Sequence, residues 1–302
     1  MSKAAPRATA RASDPSADSP DATVPPGPTA RGRRLQAYGM RLGARLVARG
    51  RVKRGLRYIG VPVNYWRSVE YELALDRASF TAGDRVLDIG SPKLLSLYIA
   101  EKTGASVTAT DIEDYFITEY ELLRQLRGIS SESLRLSVED GRKLSFPDGS
   151  FDKVYSISVV EHIPDQGDID CVREMARVLA PGGLCILTVP FWPTSRVDWR
   201  EADFYWSRGA GAGTDNKVFF QRRYSHDDLL DRLVRPSGLR LIELSYVGER
   251  VMAKSQHEFC EFLPPITGPV QPLLARLLLT RPVGDWRALR KPLCAVVVLQ
   301  KP

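Results

Sequence analysis

Two acidic residues and a glycine follow predicted strands at a spacing that suits an adenosine-containing ligand. Asp88 and Gly90 end the predicted strand 85–90, and Asp111 ends the predicted strand 106–111. Asp111 follows Asp88 by 111 − 88 = 23 residues. An acid about 20 residues on, at the tip of the second strand, can accept hydrogen bonds from both ribose hydroxyls. Gly90 lets the backbone turn sharply and approach a ligand closely.

His162 is the one histidine whose setting suggests catalysis. It follows Glu161, and the ordinary pKa of an imidazole near neutral pH suits a general base. The alternative, which the sequence favours, is a histidine at a helix start held in a structural hydrogen bond. His226 follows Ser225, a candidate helix N-cap, and is expected at the surface. The four cysteines include no CxxC pair and the three histidines do not cluster with other ligand types, so no metal site is predicted.

From Asp84 onward short apolar strands alternate with helical patterns. Helices are predicted at 94–102, at 168–179 (closed by Pro181-Gly182-Gly183) and at 225–233. This alternation predicts right-handed βαβ units and a doubly wound α/β domain with a parallel sheet, which binds ligands beyond the carboxyl ends of its strands. The strands are predicted at 85–90, 106–111, 134–138, 153–158, 184–189, 239–245 and 294–299.

The positive charge of the chain belongs to its N-terminal part. Residues 1–60 hold thirteen Lys or Arg against three Asp, a balance of 13 − 3 = +10, which leaves 7 − 10 = −3 for the remainder. Residues 1–33 have almost no large apolar side chain and are expected to be disordered. Residues 34–80 are expected to form a basic helical extension, with a second helix at about 64–78.

The first helix of this extension is amphipathic. It either packs on the domain with solvated arginines or contacts an anionic surface, which could be a membrane or a nucleic acid. Its apolar residues are Leu35, Tyr38, Leu42 and Leu46, and its neighbouring basic face holds Arg41, Arg45 and Arg49.

Cellular location is predicted from what the sequence lacks. No stretch approaches the 18 or so apolar residues of a membrane span, and the N-terminus lacks the order of a secretory signal. Cys171 and Cys185 are expected to be buried free thiols, which indicates a reducing compartment. The prediction is a cytoplasmic protein whose oligomeric state is open.

Residues 84–190 contain four sequence segments whose order matches that of a known protein family. They are 86–90 (Val-Leu-Asp-Ile-Gly), 109–112 (Ala-Thr-Asp-Ile), 138–152 (with Glu-Asp-Gly and Pro-Asp-Gly-Ser-Phe-Asp) and 155–183 (with Val-Val-Glu-His-Ile-Pro-Asp and Pro-Gly-Gly). In this order and spacing the chain resembles class I S-adenosylmethionine-dependent methyltransferases of the small-molecule, ubiquinone-biosynthesis-like type. The resemblance implies a Rossmann-like, mostly parallel seven-stranded sheet with an antiparallel last strand. The methyltransferase domain would span 81–302, with an insertion at 190–224 over the acceptor site.

The resemblance implies a role for each matching residue in binding S-adenosylmethionine. Asp88 would face the methionine amino group directly or through water, with Gly90 and Ser91 lining the methionine and ribose. Asp111 would hold the ribose hydroxyls, with Ile112 against the adenine.

Three further residues of the resemblance complete the predicted cofactor site. Asp140 would accept a hydrogen bond from the adenine amino group, Gly141 would leave room beside it, and Ser158 would lie near the sulfonium. Structural alternatives stay open: Asp88 as a helix cap, Asp111 as an ordinary loop acid, and Asp140 as a turn former.

The first loop departs from the family pattern. Pro92 and Leu94 stand where further glycines are usual, and Pro92 removes a backbone donor and fixes its own torsion. This argues against a dinucleotide enzyme, whose pyrophosphate needs those glycines, whereas S-adenosylmethionine has no phosphate. Aromatic residues of the insertion either shape an acceptor site or form a local cluster. They are Trp192, Trp199, Tyr205 and Trp206.

The leading hypothesis is a methyltransferase with a small-molecule acceptor. The alternatives are a degenerate, non-catalytic binding relative, and a methyltransferase working at a membrane surface or on nucleic acid. The acceptor, the methylated atom and the purpose of residues 1–60 are left open by the sequence.

Overall fold

The computed structural model describes residues 33–90, 94–201, 217–250 and 270–302. The predictions for the tail before Arg33 and for Ser91, Pro92, Tyr205 and Trp206 therefore lie outside the described residues. The helices are Arg33–Ala48 (α1), Val52–Gly60 (α2), Arg67–Ala78 (α3), Leu94–Lys102 (α4), Asp114–Arg127 (α5), Gly167–Val178 (α6), the continuous segment His226–Asp228, Leu229–Val234 and Arg235–Ser237 (α7, π-helical in its middle part), and Gln271–Leu278 (α8). Short 3₁₀ turns occupy Val160–His162 and Trp286–Ala288.

The strands are Arg85–Ile89 (β1), Ser106–Asp111 (β2), Leu134–Val138 (β3), Phe151–Ile157 (β4), Leu179–Pro190 (β5), Arg196–Glu201 (β6), Lys217–Arg223 (β7), Arg240–Gly248 (β8) and Pro292–Gln300 (β9). Seven of them form one sheet in the order β3-β2-β1-β4-β5-β9-β8. Of these strands, β9 alone is antiparallel to its neighbours, and the remaining pairs are parallel. The predicted doubly wound α/β fold with an antiparallel last strand is therefore confirmed. Strands β6 and β7 form a separate antiparallel hairpin in the insertion.

Each face of the sheet is covered by its own hydrophobic core. Because strand side chains alternate between faces, Val86 joins the core that contains α1, α3 and α4. Leu87 and Ile89 join the core that contains α6 and α7. Asp88 therefore points toward the first core and lies against α4.

The N-terminal helix packs its apolar face on the domain. All four residues predicted for that face are at most 2 % exposed: Leu35, Tyr38, Leu42 and Leu46. Arg34 pairs with Glu72 of α3, which ties the two helices together. The arginines at 41, 45 and 49 remain exposed to solvent. The apolar face of this helix thus packs on the domain, as one of the two interpretations expected. The domain boundary at residue 80 stays a prediction.

Several elements differ from the sequence prediction. Helix α3 begins at Arg67, whose N–H donates to the Asn64 side chain at 2.8 Å, so Asn64 precedes the helix. Pro181-Gly182-Gly183 lies inside β5, which begins directly after α6 ends at Val178. None of the helices in the described ranges has the length and apolar character needed to cross a bilayer.

Candidate active site

The carboxyl ends of β1, β2 and β3 are joined by backbone hydrogen bonds. The Gly90 N–H donates to the Thr110 carbonyl at 2.9 Å, and the Glu139 N–H donates to the Asp111 carbonyl at 3.0 Å. Parallel pairing of β1 with β2 sets Asp88 beside Ala109. The structure therefore brings the predicted residues at the ends of these strands to one edge of the sheet.

The carboxylate of Asp88 is buried within the fold. Asp88 has no exposed surface, and the Ser96 hydroxyl of α4 donates to its Oδ2. The Thr110 hydroxyl donates to its backbone carbonyl at 2.9 Å. These bonds fix the tip of β1, so Asp88 at least positions the loop that follows. Contact of Asp88 with a ligand stays a prediction.

Gly90 occupies a position that other residues would strain. Its φ of +59° lies in the left-handed region, and an added Cβ would stand 2.7 Å from Cγ1 of Val159. A side chain here would displace Val159 or the turn itself. The sharp turn predicted from the sequence at Gly90 is confirmed, and Ser91 after it lies outside the described part of the chain.

Asp111 and Ile112 stand at the tip of β2. One carboxylate oxygen of Asp111 accepts the Glu113 N–H at 3.1 Å, which orients the side chain at the strand end. Ile112 is 50 % exposed although it is a large apolar residue. An acceptor beside an uncovered apolar side chain fits a ribose with its attached base.

Asp140 is held in a turn by a neighbouring arginine. Its carboxylate accepts from the Arg142 backbone N–H at 2.9 Å and pairs with the Arg142 guanidinium at 2.7 Å. The Arg142 hydrogen bonds hold the pKa of Asp140 below its usual value. An added Cβ at Gly141 would meet Cys171 Sγ and Ile89 Cγ2 at 3.1 Å each, so the turn lies tightly against the domain. The structure thus shows the turn-forming role of Asp140, and its role toward adenine stays a prediction.

Ser158 takes part in a buried polar cluster that the sequence did not predict. Its backbone φ is +48°, and its hydroxyl donates to Glu70 Oε1 of α3 at 2.5 Å. The Thr188 hydroxyl of β5 donates to the same oxygen at 2.7 Å. Arg67 pairs with the other carboxylate oxygen of Glu70. Glu70 therefore joins α3 to the carboxyl ends of β4 and β5.

Glu161 and His162 continue this cluster. Glu161 is 1 % exposed, and its Oε2 has no hydrogen-bond partner within the described ranges. Its Oε1 lies 3.8 Å from His162 Nε2. Burial raises the pKa of Glu161 to about 8, against the attraction of nearby Arg67. A carboxyl with this pKa holds its proton at neutral pH.

The hydrogen bond of His162 defines its tautomer. Its Nδ1 lies 2.7 Å from the Phe220 carbonyl oxygen, which can only accept, so Nδ1 holds the proton and Nε2 holds the lone pair. Burial lowers the pKa of His162 below its usual value, which keeps the ring neutral at pH 7. The structural hydrogen bond favoured by the sequence is present, and it also directs the basic nitrogen toward Glu161.

The insertion hairpin covers His162. Phe220 of β7 packs edge-on against the His162 ring, with centroids 5.0 Å apart, and the Arg200 guanidinium lies 3.6 Å from the Phe220 ring centroid. Trp199 is 48 % exposed and contacts Phe219 edge-on. These contacts describe a local aromatic cluster, and a role for the insertion over the acceptor site stays a prediction.

A cleft of about 1580 Å³ opens between α2, the N-terminal ends of α3 and α4, and α5. The polar cluster adjoins it through Arg67, and α4 contributes the otherwise buried Leu94. Tyr115 and Phe116, which follow the tip of β2, line the same space. The cleft thus lies between the starts of the helices that follow β1 and β2, and it reaches Arg67 of the polar cluster.

Two further predictions concern the position of His226 and the presence of a metal site. Ser225 is the N-cap of α7, where it accepts the Asp228 N–H, but His226 is half-buried, with Nδ1 2.6 Å from the Tyr246 hydroxyl. The described ranges contain no group of three or more potential metal ligands.

Arg67 and Glu70, which pair within the buried polar cluster of the candidate site, were not identified from the sequence. The available signal was a pair of carboxylates, Glu70 and Glu72, at positions that are buried in the apolar surroundings of α3. A buried ionised side chain requires a partner, so such residues mark a polar cluster before its partners are known.

The match to a known family covers the part of the chain that holds the strand-end residues of the site. Residues 87–187 match the methyltransferase domain family. Methyltransferase GfsG of Streptomyces halstedii is 32 % identical over 185 residues, which is 59 % of this chain and 61 % of that protein. The sterol 24-C-methyltransferase of Pneumocystis carinii is 34 % identical over 119 residues, 38 % of this chain and 30 % of that protein. The chain therefore spans less than two thirds of the length of these relatives.

A solved structure shares the fold over nearly the whole chain. The cyclase SpnF is similar with a TM-score of 0.52 at 17 % identity, covering 92 % of this chain and 98 % of SpnF. At this identity the likeness concerns the fold alone.

Proposed function

We propose that the chain is a member of the class I S-adenosylmethionine-dependent methyltransferases and that it transfers a methyl group directly from S-adenosylmethionine to a small-molecule acceptor. One observation supports this most strongly. The span that matches the family holds Asp88, Gly90 and Asp111 at one edge of the sheet, and the helices that follow β1 and β2 line a large cleft. Buried free thiols at Cys171, Cys185 and Cys294 support a reducing, cytoplasmic setting.

The residues at the strand ends fit the cofactor. Asp111 would accept from the ribose hydroxyls, with exposed Ile112 against the adenine, while Gly90 provides a close backbone approach. Asp88, at the tip of β1, would face the methionine amino group. When bound, the cofactor supplies a methyl group already activated by a sulfonium, so orientation of the acceptor accounts for much of the acceleration.

His162 is the group we propose for accepting a proton from the acceptor. The Phe220 carbonyl fixes the lone pair on Nε2, and the lowered pKa of His162 keeps that nitrogen unprotonated at pH 7. Glu161, with its raised pKa, would lie beside the imidazole as a neutral acid and avoid a second buried charge near Glu70.

The cleft has room for a large acceptor that carries apolar surface. The volume of about 1580 Å³ exceeds the roughly 300–1,000 Å³ of ordinary ligand pockets, which leaves room for an acceptor beside the cofactor. Leu56, Tyr115 and Phe116 line it, and all three are more than 40 % exposed. The sterol methyltransferase among the relatives is named for an acceptor of this kind.

A second candidate is a binding protein of this fold without methyl transfer. Pro92 and Leu94 replace the glycines usual in the first loop, and Leu94 lines the cleft. The fold also occurs in a protein named as a cyclase, so the fold alone does not decide the reaction.

Calorimetric titration with S-adenosylhomocysteine tests the proposal. We expect binding that Asp111→Ala weakens by about ten- to a hundredfold, because a hydrogen bond to a charged group contributes about 1.5–3 kcal/mol. Asp114→Ala is the matched control, since Asp114 is an exposed carboxylate at the start of α5, and it should bind like the natural chain. Absence of binding by folded protein would contradict the proposal and favour the second candidate.

A further inference from the structure

Helices α1 and α2 expose a group of cations that form no ion pairs within the described chain. No acidic residue occurs among residues 22–69. Six cations of α1, α2 and their connection are exposed and form no ion pair within the described chain: Arg41, Arg45, Arg49, Arg51, Lys53 and Arg57. The remaining negative balance of the chain lies elsewhere, so this positive charge is concentrated on one part of the molecule.

Large apolar side chains are exposed on the same surface. Val52 is 49 % and Leu56 is 57 % exposed, and their i, i+4 spacing places them on one side of α2. Tyr115 and Phe116 at the start of α5 are 61 % and 41 % exposed and pack edge-on against each other. All four side chains line the cleft, so the apolar surface surrounds its opening.

We propose that this surface, defined by α2 and the first turn of α5, docks on an anionic lipid bilayer. A helix with Val and Leu between Lys and Arg suits the boundary of headgroups and acyl chains, where the apolar side chains insert and the cations meet lipid phosphates. Each cation near such a surface strengthens the attraction to anionic lipid. A nucleic acid would match the charge, but it gives Val52 and Leu56 no apolar environment, so the lipid is the better fit.

Docking in this orientation places the mouth of the cleft on the bilayer. The acceptor would then be an amphiphile that enters from the membrane rather than from water, and this consequence rests on the proposed methyl transfer. The docking itself does not depend on it, because it is measured by binding without turnover.

Vesicle flotation with the full chain tests the apolar contribution. Vesicles of phosphatidylcholine with 30 % phosphatidylglycerol should bind the protein at low salt, and pure phosphatidylcholine vesicles should bind it at least tenfold more weakly. Replacing Val52 and Leu56 together by Ser should weaken binding to the anionic vesicles by about tenfold or more, because two apolar side chains lose their insertion. Ile242→Ser is the matched control, since Ile242 is 39 % exposed on β8 and does not line the cleft.

A second pair of variants tests the charge. Lys53→Glu with Arg57→Glu should abolish binding to the anionic vesicles at physiological salt, and Arg290→Glu, an exposed cation outside the surface, should not. Circular dichroism and S-adenosylhomocysteine titration on the same samples show that fold and cofactor site are intact, which separates loss of docking from failure of the proposed function.

Three results would overturn the docking proposal. The first is no flotation with anionic vesicles, and the second is flotation that the Val52 and Leu56 substitutions leave unchanged. The third is tight, salt-sensitive binding of single-stranded RNA that exceeds vesicle binding and ignores the apolar substitutions, which would assign the cations to a nucleic acid.

Discussion

Glu161 presents an unusual electrostatic arrangement for a single residue. Its carboxyl group is buried near Arg67, Glu70 and His162, yet Arg67 pairs directly with Glu70 and not with Glu161. With one compensated carboxylate already present, a second negative charge in the same cluster is unfavourable. The raised pKa of Glu161 therefore follows from its burial first and from its position beside Glu70.

Stability should fall with rising pH because of Glu161. Its pKa is about 8 in the folded chain and about 4.5 when unfolded, so the folded state binds more protons between these values. The contribution is fully present below about pH 4.5 and is lost as pH rises to about 8. Glu161→Gln keeps a neutral side chain at all pH values. The free energy of unfolding of the natural chain minus that of Glu161→Gln should thus decrease by a few kcal/mol from pH 5 to 8.5, as measured by urea denaturation.

Comparing the natural chain with Glu161→Gln isolates the effect of Glu161 on stability, because His162 is present in both proteins. The lowered pKa of His162 has the opposite effect: it makes the folded state less stable as pH falls below about 6.5. A difference between natural chain and variant that stays constant over this range would show that Glu161 is ionised in the fold.

The positions of single site residues could be predicted from the sequence where those residues lie at the end of a strand. Asp88, Gly90 and Asp111 could be placed at one edge because parallel strands end together and their order follows from the alternation of elements. The bond between Ser158 and Glu70 could not be predicted, since 88 residues separate the partners and an extension helix supplies one of them. Likewise, the bidentate pairing of Asp140 with Arg142 depends on side-chain rotamers that a sequence pattern does not specify.

At the scale of elements, the contact between α1 and α2 depends on two glycines. A Cβ on Gly43 would stand 2.7 Å from the Gly55 carbonyl oxygen, and a Cβ on Gly55 would stand 2.7 Å from the Gly43 carbonyl oxygen. Neither glycine has a left-handed φ, so their small size rather than backbone freedom is what the contact needs. Gly43 looks like a weak point of α1 in the sequence, but the structure shows that it permits close helix packing.

Gly43→Ala should destabilise the chain by about 1–3 kcal/mol, because the added methyl group forces α2 away from α1. In an isolated helix the same change would stabilise by roughly 0.5–1 kcal/mol, so the sign distinguishes packing from helix propensity. Gly60→Ala is the control, since an added Cβ there meets nothing within 4 Å, and it should be neutral or slightly stabilising. Chemical denaturation measures both variants, and a stabilised Gly43→Ala would contradict the observed contact.

Elements with strong apolar periodicity were predictable, and partly exposed ones were not. The seven sheet strands read as apolar runs, and the predicted helix 94–102 agrees with α4 because buried residues fill most of its length. Helix α5 gives a weak signal because Leu123 is its one fully buried residue. Both strands of the β6–β7 hairpin are half exposed, so their sequence shows no alternation of apolar residues that would predict it.

At the scale of the whole molecule, the N-terminal helices and the sheet share one core. Leu42 of α1, Leu73 of α3, Leu97 of α4, Val107 of β2 and Val296 of β9 are all at most 1 % exposed and belong to the same cluster. Apolar contacts that cross from extension to sheet couple their unfolding, because neither part keeps its buried surface without the other. Cofactor binding at the strand ends should therefore stabilise α1 as well as the sheet.

Scanning calorimetry with S-adenosylhomocysteine at 100 times its Kd should show this coupling. Ligand at that excess adds about 2.7 kcal/mol to the free energy of unfolding. For a domain of this size about 2–4 °C correspond to each kcal/mol, so one transition should rise by about 5–10 °C. Hydrogen exchange should show amides of α1 and β1 gaining protection together. An early transition of α1 that the ligand does not move would instead make the extension a separate unit. Asp111→Ala, with its ten- to hundredfold weaker binding, should show about half of the shift or less at the same ligand concentration.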